Sequence, residues 1–296
     1  MIKIALCTDD NYAVPCAVCI TSILENNKKD VASIYVLTEG LGEKIKKIFE
    51  RLSDEYKVEI KLVVVDALSF NGLKRDNRFP RAIYFRFLLP SIVKDDRILY
   101  LDCDTIVCGN LSGFYTTNLE NKSCAVIEDQ MSDDIYLRNR LDLRGKYFNS
   151  GVLLMNLVYW RENLLSEKIV NFISCHPELC VYPDQDALNL VIGDSVLFCE
   201  YKYNLQEMML FPHEKLCLSR DKWDAVDASK MDPVVVHYTN SVKPWHRDCR
   251  HPLKGLYEKY LKKHPFLKLR KRMKYNYAHY FIRACIAVGR RLLRVV

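Results

Sequence analysis

Asp102 and Asp104 flank a single cysteine at the end of a bulky apolar run, Ile98-Leu99-Tyr100-Leu101. A buried strand has no reason of its own to end on two carboxylates, because unpaired buried charge is costly. With one residue between them on an extended backbone, the two side chains emerge on the same face. Held that close they repel unless a cation sits between them. Oxygen donors of this kind suit Mg²⁺ or Mn²⁺, which in turn grip a diphosphate. Turn capping is the plain alternative, since Asp is common in turns; the position directly after a buried strand favours the ligand role.

Three further segments concentrate polar chemistry. In "HYTNSVKPWHRDC", His237 stands at the end of the strand-like "PVVVHY". It could complete a Mn²⁺ site with the two aspartates, or serve as a hydrogen-bonded structural histidine, and Lys243 could neutralise phosphate. In "YPDQDALNLV", Asp184, Gln185 and Asp186 open a helical stretch, where capping and the macrodipole favour acids. Capping explains one acid well and a Gln between two of them poorly. In "YFNSGVLLMNLVYW", Asn149-Ser150-Gly151 precedes a strand, and the glycine suits either close backbone approach to a ligand or a β-bulge.

These residues need elements to hold them. Strands are expected at Lys3–Cys7, Ser33–Leu37, Val58–Val65, Ile98–Leu101, Cys124–Ile127 and Gly151–Met155. Helices are expected at Val14–Leu24, Glu43–Leu52, Arg81–Leu88, Asn163–Ser174 and Gln185–Val191. The alternation predicts an α/β fold, a mostly parallel sheet flanked by helices. Ligands of such sheets bind beyond the carboxyl ends of the strands. The first strand ends in "CTDDNY" and the Ile98 strand in "DCD", so both acidic ends should open on one crevice.

The 296 residues, 49% hydrophobic, suffice for a large core. The opening apolar stretch Ile2–Cys7 is too short for a leader and runs straight into Asp9 and Asp10. No apolar run reaches the roughly 18 residues of a membrane span, so a cytoplasmic protein is expected. Of the twelve cysteines, Cys16 and Cys19 form a CxxC and Cys175 and Cys180 a looser pair. Neither has the tight double-cluster spacing of a structural zinc site, and buried small hydrophobes are the better reading. The net charge of +7 is uneven: every acid lies at or before Glu258, and nine cations follow His264. Without those nine, 35 cations face 37 anions, so the basicity belongs to a tail and does not mark a nucleic-acid-binding globule. The composition shift places a domain boundary at 264, with a body of 1–264 and a tail of 265–296. From Tyr280 on, Arg283, Arg290 and Arg294 recur at helical spacing among aliphatic residues. The tail, residues 266–296, reads as an amphipathic helix lying on an anionic membrane.

Six segments in order, "CTDDNYAVPCAVCITSI", "AIYFRFLLP", "RILYLDCDTIV", "YFNSGVLLMNLVYWRE", "YPDQDALN" and "HYTNSVKPWHRDC", make the chain resemble the retaining glycosyltransferases of glycosyltransferase family 8. Within that family it is most similar to the bacterial lipooligosaccharide and lipopolysaccharide α-galactosyltransferases and α-glucosyltransferases. The resemblance implies a single Rossmann-like nucleotide-sugar domain of GT-A type, a UDP-sugar donor and a lipid-linked saccharide acceptor. It places Asp102, Asp104 and His237 on Mn²⁺, Asp9 and Asn11 on the uridine, and Tyr12 against the base. Arg86 would reach donor sugar and phosphates. Asn149 and Asp129, with Glu128 beside it, would bind the donor sugar, and Asp184 its hydroxyls. Gln185 would lie near the anomeric carbon and Lys243 on the departing β-phosphate. The basic C-terminus would bring the enzyme to the inner face of the cytoplasmic membrane.

Breaking the anomeric bond to UDP develops negative charge on the β-phosphate, which a divalent cation and Lys243 would stabilise. Retention normally calls for a carboxylate nucleophile, and Gln185 is a poor one. Either Asp184 moves in, or the acceptor attacks from the departing side while the leaving phosphate takes its proton; the second route is favoured. Two departures stand out. Asn240 replaces a usual family glycine, at a position where Asn's tolerance of left-handed backbone would matter, and "RDNRFPRA" (Arg75–Ala82) differs from the usual His- and Ser-rich version. A membrane-bound UDP-sugar scaffold without turnover is the non-enzymatic alternative.

Overall fold

The computed structural model describes residues 1–73, 79–212, 216 and 218–267. Strands β1 (Ile2–Cys7), β2 (Val31–Thr38) and β3 (Glu59–Val64) alternate with helices α1 (Ala13–Asn27) and α2 (Glu43–Tyr56). In β1, Ile4 and Leu6 enter one core while Ala5 and Cys7 enter the other. Burial on both faces is why this strand reads as a continuous apolar run. α1 is buried nearly all round, Cys16 and Cys19 included, whereas α2 buries only Phe49, Leu52 and Tyr56 and turns its charged face to water.

β4 (Arg97–Leu101) lies parallel to β1, and β8 (Val196–Cys199) lies parallel to β6 (Cys124–Glu128). Between β4 and β6, antiparallel to both, runs β7 (Phe148–Asn156). The main sheet has the order β3-β2-β1-β4-β7-β6-β8, mostly parallel as expected. Because β7 alone is reversed, its first residues lie at the edge where β1, β4 and β6 end. Phe148 to Ser150 thus belong to the strand itself, which starts earlier than the expected Gly151, because Phe148 and Asn149 pair with Glu128 and Ile127.

Immediately after Asp104 the chain leaves this sheet. β5 (Thr105–Val107) pairs antiparallel with β10 (Val235–His237), which pairs parallel with β9 (Leu205–Gln206). The register sets His237 opposite Thr105, so the small sheet delivers a histidine from far along the chain to the two aspartates.

Several element boundaries differ from the sequence reading. Arg81–Leu88 is a 3₁₀ helix bracketed by Pro80 and Pro90. The expected Asn163–Ser174 helix is Leu165–Cys175, preceded by a separate helix, Leu157–Glu162, with Leu164 in left-handed backbone between them. The next helix, Pro183–Ile192, starts on a proline, which suits a first helical turn. Asp184, Gln185 and Asp186 therefore all lie in that first turn. Helix Lys254–Lys263 packs on α1, where Tyr260 Oη accepts from Asn26 Nδ2 at 2.9 Å. Beyond it His264 meets Tyr56 and Glu55, and Leu267 is buried. Residues 268–296, which carry the expected amphipathic tail, and Arg75 to Arg78 lie outside the described residues. Among the described residues no helix is long and apolar enough to cross a membrane.

Candidate active site

β4 ends at Leu101, and a turn follows in which the Thr105 N–H donates to the Asp102 carbonyl at 3.2 Å, so this turn, and not the expected extended backbone, brings the two aspartates together. Cys103 turns down and donates its thiol hydrogen to the Cys7 carbonyl at 3.2 Å, while the side chains on either side of it turn up into the crevice. There Asp102, Asp104 and His237 each offer a ligand atom, all within 4.8 Å of one another. His237 Nε2 lies 3.2 Å from Asp104 Oδ1 and 3.9 Å from Asp102 Oδ2. Gly151 makes the room: a Cβ there would collide with the His237 ring and stand 2.6 Å from Asp102 Oδ2. Two carboxylates and an imidazole around a cleared space fit a divalent cation that accepts mixed oxygen and nitrogen donors.

Two buried cations face this group. Lys243 Nζ donates to Asp104 Oδ2 at 2.7 Å and to the Tyr238 carbonyl at 2.5 Å. Burial alone would raise the Asp104 carboxyl and lower the Lys243 ammonium; their attraction, helped on the aspartate by His237, reverses both shifts. Arg86 is 2% exposed and spans the floor of the crevice. It donates to Asp102 Oδ1 at 3.1 Å and to the Ser150 carbonyl at 2.6 Å, approaches Asp184 Oδ2 at 3.3 Å, and lies 4.2 Å from the Tyr100 ring centroid. The Tyr100 hydroxyl donates to Asp102 Oδ1 at 2.7 Å. Tyr100 is a site residue that its place inside an apolar run conceals in the sequence.

Beside the cation site is a network of amides and carboxylates. Asp129 Oδ2 accepts from Asn149 Nδ2 at 3.0 Å and Gln185 Nε2 at 3.1 Å. Gln185 Oε1 accepts from Asn149 Nδ2 and from the Ser150 backbone N–H. Asp184 Oδ2 accepts from Ser150 Oγ at 2.9 Å. Burial raises the carboxyls of both Asp129 and Asp184, against the pull of the Met131 N–H, Asn149 and Gln185 on the first and of Arg86 on the second. The adjacent acids do other work. Asp186 binds Arg140 and the Tyr147 hydroxyl and accepts from the Tyr182 N–H, anchoring its helix. Glu128 pairs with Lys222, Lys146 and Tyr201, outside this network.

At the end of β1, Asp9 Oδ1 accepts from the backbone N–H groups of Asn11 and Tyr12, both at 2.9 Å. Asn11 is exposed at the rim. Tyr12 stands edge-on to Trp245, ring centroids 5.4 Å apart. Its phenol is pushed up to about 12 by burial, against the pull of Lys243. Asn240 does not adopt left-handed backbone; its N–H donates to Glu207 Oε2 at 3.3 Å, so left-handed tolerance plays no part there. Glu207, buried with its carboxyl raised by burial, and Asn204, fully buried between His237 and Asn149, also line the site. Neither belongs to a recognisable motif, and no sequence signal distinguishes them.

A family model described as glycosyl transferase family 8 matches residues 3–249. General stress protein A of Bacillus subtilis is 28% identical over 88% of this chain and 93% of its own length. A lipopolysaccharide 1,2-glucosyltransferase of Escherichia coli is 31% identical over 80% of this chain and 71% of its own. Among solved structures, the galactosyltransferase LgtC in complex with donor and acceptor sugar analogs superposes with a TM-score of 0.80 at 23% identity, covering 91% of this chain and 98% of that one.

Proposed function

The chain belongs to glycosyl transferase family 8 and is a glycosyltransferase, and from that premise we propose that it is a Mn²⁺-dependent, retaining UDP-hexose transferase. The hexose is galactose or glucose, and the acceptor is a lipid-linked saccharide of lipooligosaccharide or lipopolysaccharide type, as the names of the relatives suggest. The observation that carries this reading is the convergence of Asp102, Asp104 and His237 with Lys243 at the carboxyl edge of the sheet, where a diphosphate would lie.

A divalent cation held by Asp102, Asp104 and His237 would supply positive charge against the diphosphate oxygens. Lys243 shifts from Asp104 to the β-phosphate and neutralises the charge that develops as the anomeric bond breaks. Arg86 holds Asp102 and Asp184 in place, and Asp184, Asp129 and Asn149 bind sugar hydroxyls. The uridine sits at the β1 end, with Asp9 and Asn11 on its polar edge and Tyr12 against its face. The side-chain oxygen of Gln185 already accepts from Asn149 and Ser150, and Asp184 is tied to Ser150 and Arg86. These contacts lower the nucleophilicity of the Gln185 oxygen and of Asp184 Oδ2. That supports retention by front-face attack, in which the acceptor hydroxyl enters on the leaving side and gives its proton to the departing phosphate.

We further propose that the tail of residues 266–296 holds the enzyme on the inner, anionic face of the cytoplasmic membrane, near its acceptor.

Purified protein incubated with a panel of UDP-sugars, in Mn²⁺ or EDTA, should release UDP from one donor. Asp102→Asn should abolish that release. Tight UDP binding without turnover, with candidate acceptors supplied, would overturn the reading in favour of a scaffold.

A further inference from the structure

We propose that Asn204 is a positioning residue that selects which ring nitrogen of His237 faces the metal position and ties that nitrogen's setting to the sugar-facing amide of Asn149. The inference deepens the metal-dependent reading above and rests on it. The backbone N–H of Gly151, a group whose polarity admits no choice, donates to Asn149 Oδ1 at 3.0 Å. Reversing the Asn149 amide would set that N–H against an NH₂ group, so its oxygen must stay where it is. Asn204 Nδ2 lies 2.9 Å from the same oxygen and is thereby identified as the donor end of its amide. The other end, Asn204 Oδ1, then faces His237 Nδ1 at 3.0 Å, and an acceptor there requires Nδ1 to carry a hydrogen. What remains for the metal position is Nε2, the nitrogen beside Asp104.

The linkage also reaches the sugar side. With Asn149 Oδ1 committed to Gly151 and Asn204, its Nδ2 is turned toward Asp129 and Gln185. One backbone N–H thus sets the polarity of Asn149, Asn204 and His237 in series, linking the cation side of the site to its sugar side. Asn204 is fully buried, so no water stands ready to replace its amide. An apolar residue in its place would leave His237 Nδ1 and Asn149 Oδ1 each short of a partner.

The test has one arm on the metal-free protein and one on metal binding. Long-range proton–nitrogen NMR on protein carrying ¹⁵N-histidine, with His237 assigned by a His237→Gln spectrum, should show Nδ1 protonated in the wild type. Mn²⁺ affinity, read from the free-ion EPR signal without nucleotide, should weaken about 10–100-fold in Asn204→Ala, as for other residues that orient a metal ligand. Asn204→Asp, which still accepts from Nδ1–H but sets an anion against Asn149 Oδ1, should retain more of the Mn²⁺ affinity than Asn204→Ala while raising the donor KM. A wild-type His237 without a proton on Nδ1 would overturn the proposal, and that spectrum decides even if Asn204→Ala fails to fold. So would a folded Asn204→Ala with unchanged Mn²⁺ affinity. A wild type that binds no Mn²⁺ would instead overturn the metal-dependent reading, leaving the metal-free spectrum to judge Asn204.

Discussion

Lys243 and Asp104 form a buried ion pair. Removing one partner of such a pair leaves an uncompensated charge, at a cost of about 3–5 kcal/mol. Lys243→Met should therefore lower the stability of the EDTA-treated protein by that order in denaturant unfolding. Asp104 has its carboxyl held below the ordinary carboxylate range, so its contribution is present above the ordinary value and is lost as pH falls through the folded one. The gap between variant and wild type should close on acidification, and Mn²⁺ should recover more stability in the variant than in the wild type. Asp184 has the opposite sign. Burial raises its carboxyl despite Arg86, so ionisation opposes folding at any pH above the ordinary carboxylate range. Asp184→Asn should melt at a higher temperature than the wild type at pH 7, with the difference vanishing as both carboxyl states become protonated in acid. UDP release, measured on the same preparations, should be lost.

At the scale of elements, the site depends on how firmly the Pro183–Ile192 helix is docked. Its anchor is Asp186, fully buried, with Arg140 held bidentate at 3.0 Å on each oxygen and the Tyr147 hydroxyl at 2.6 Å. Asp186→Ala should destabilise the protein by about 3–5 kcal/mol. By letting Asp184 and Gln185 drift, it should also cut turnover about 100-fold. Mn²⁺ affinity should stay near the wild-type value, because the proposed cation donors sit on β10 and on the segment after β4. Equal loss of metal affinity and turnover would show that the helix does not act separately. The polar triplet Asn149-Ser150-Gly151 stands out in the sequence, yet only pairing with β6 makes it strand, and only reversal of β7 brings it to the edge where β4 ends.

For the whole molecule, charge is divided between a near-neutral body and a basic tail. Phe266 and Leu267 pack back onto the body, with Arg51 lying 5.5 Å from the Phe266 ring centroid, so the truncation that isolates the tail is removal of residues 268–296. That truncated protein should no longer sediment with vesicles containing anionic lipid, while UDP release with a soluble acceptor is unchanged. Undiminished vesicle binding would place the membrane contact on the body. Rising salt should release the full-length protein in the same assay, since attraction of exposed cations to a charged surface is screened within about 10 Å at 0.1 M.

Whatever depends on neighbours along the chain is legible in the residues alone. The apolar runs mark the buried strands, Asp102 and Asp104 mark the end of one of them, and the parallel alternation opens the ends of β1 and β4 on one crevice; the two aspartates meet through the turn after β4 and not through a two-residue period. From the same local signals, His237, Lys243, Asp184 and Gln185 could be singled out as candidates. What depends on partners distant in sequence is fixed by the packing of separate elements. The pairing of β5 with β10 brings His237 to Asp104. Salt bridges assign Glu128 to Lys222 and leave Asp129 to Asn149 and Gln185. Tyr100, Asn204 and Glu207 carry no local signal because each is placed by the packing of separate elements. Period and burial are written along the chain, whereas strand register and the choice among buried partners are settled when the whole core closes.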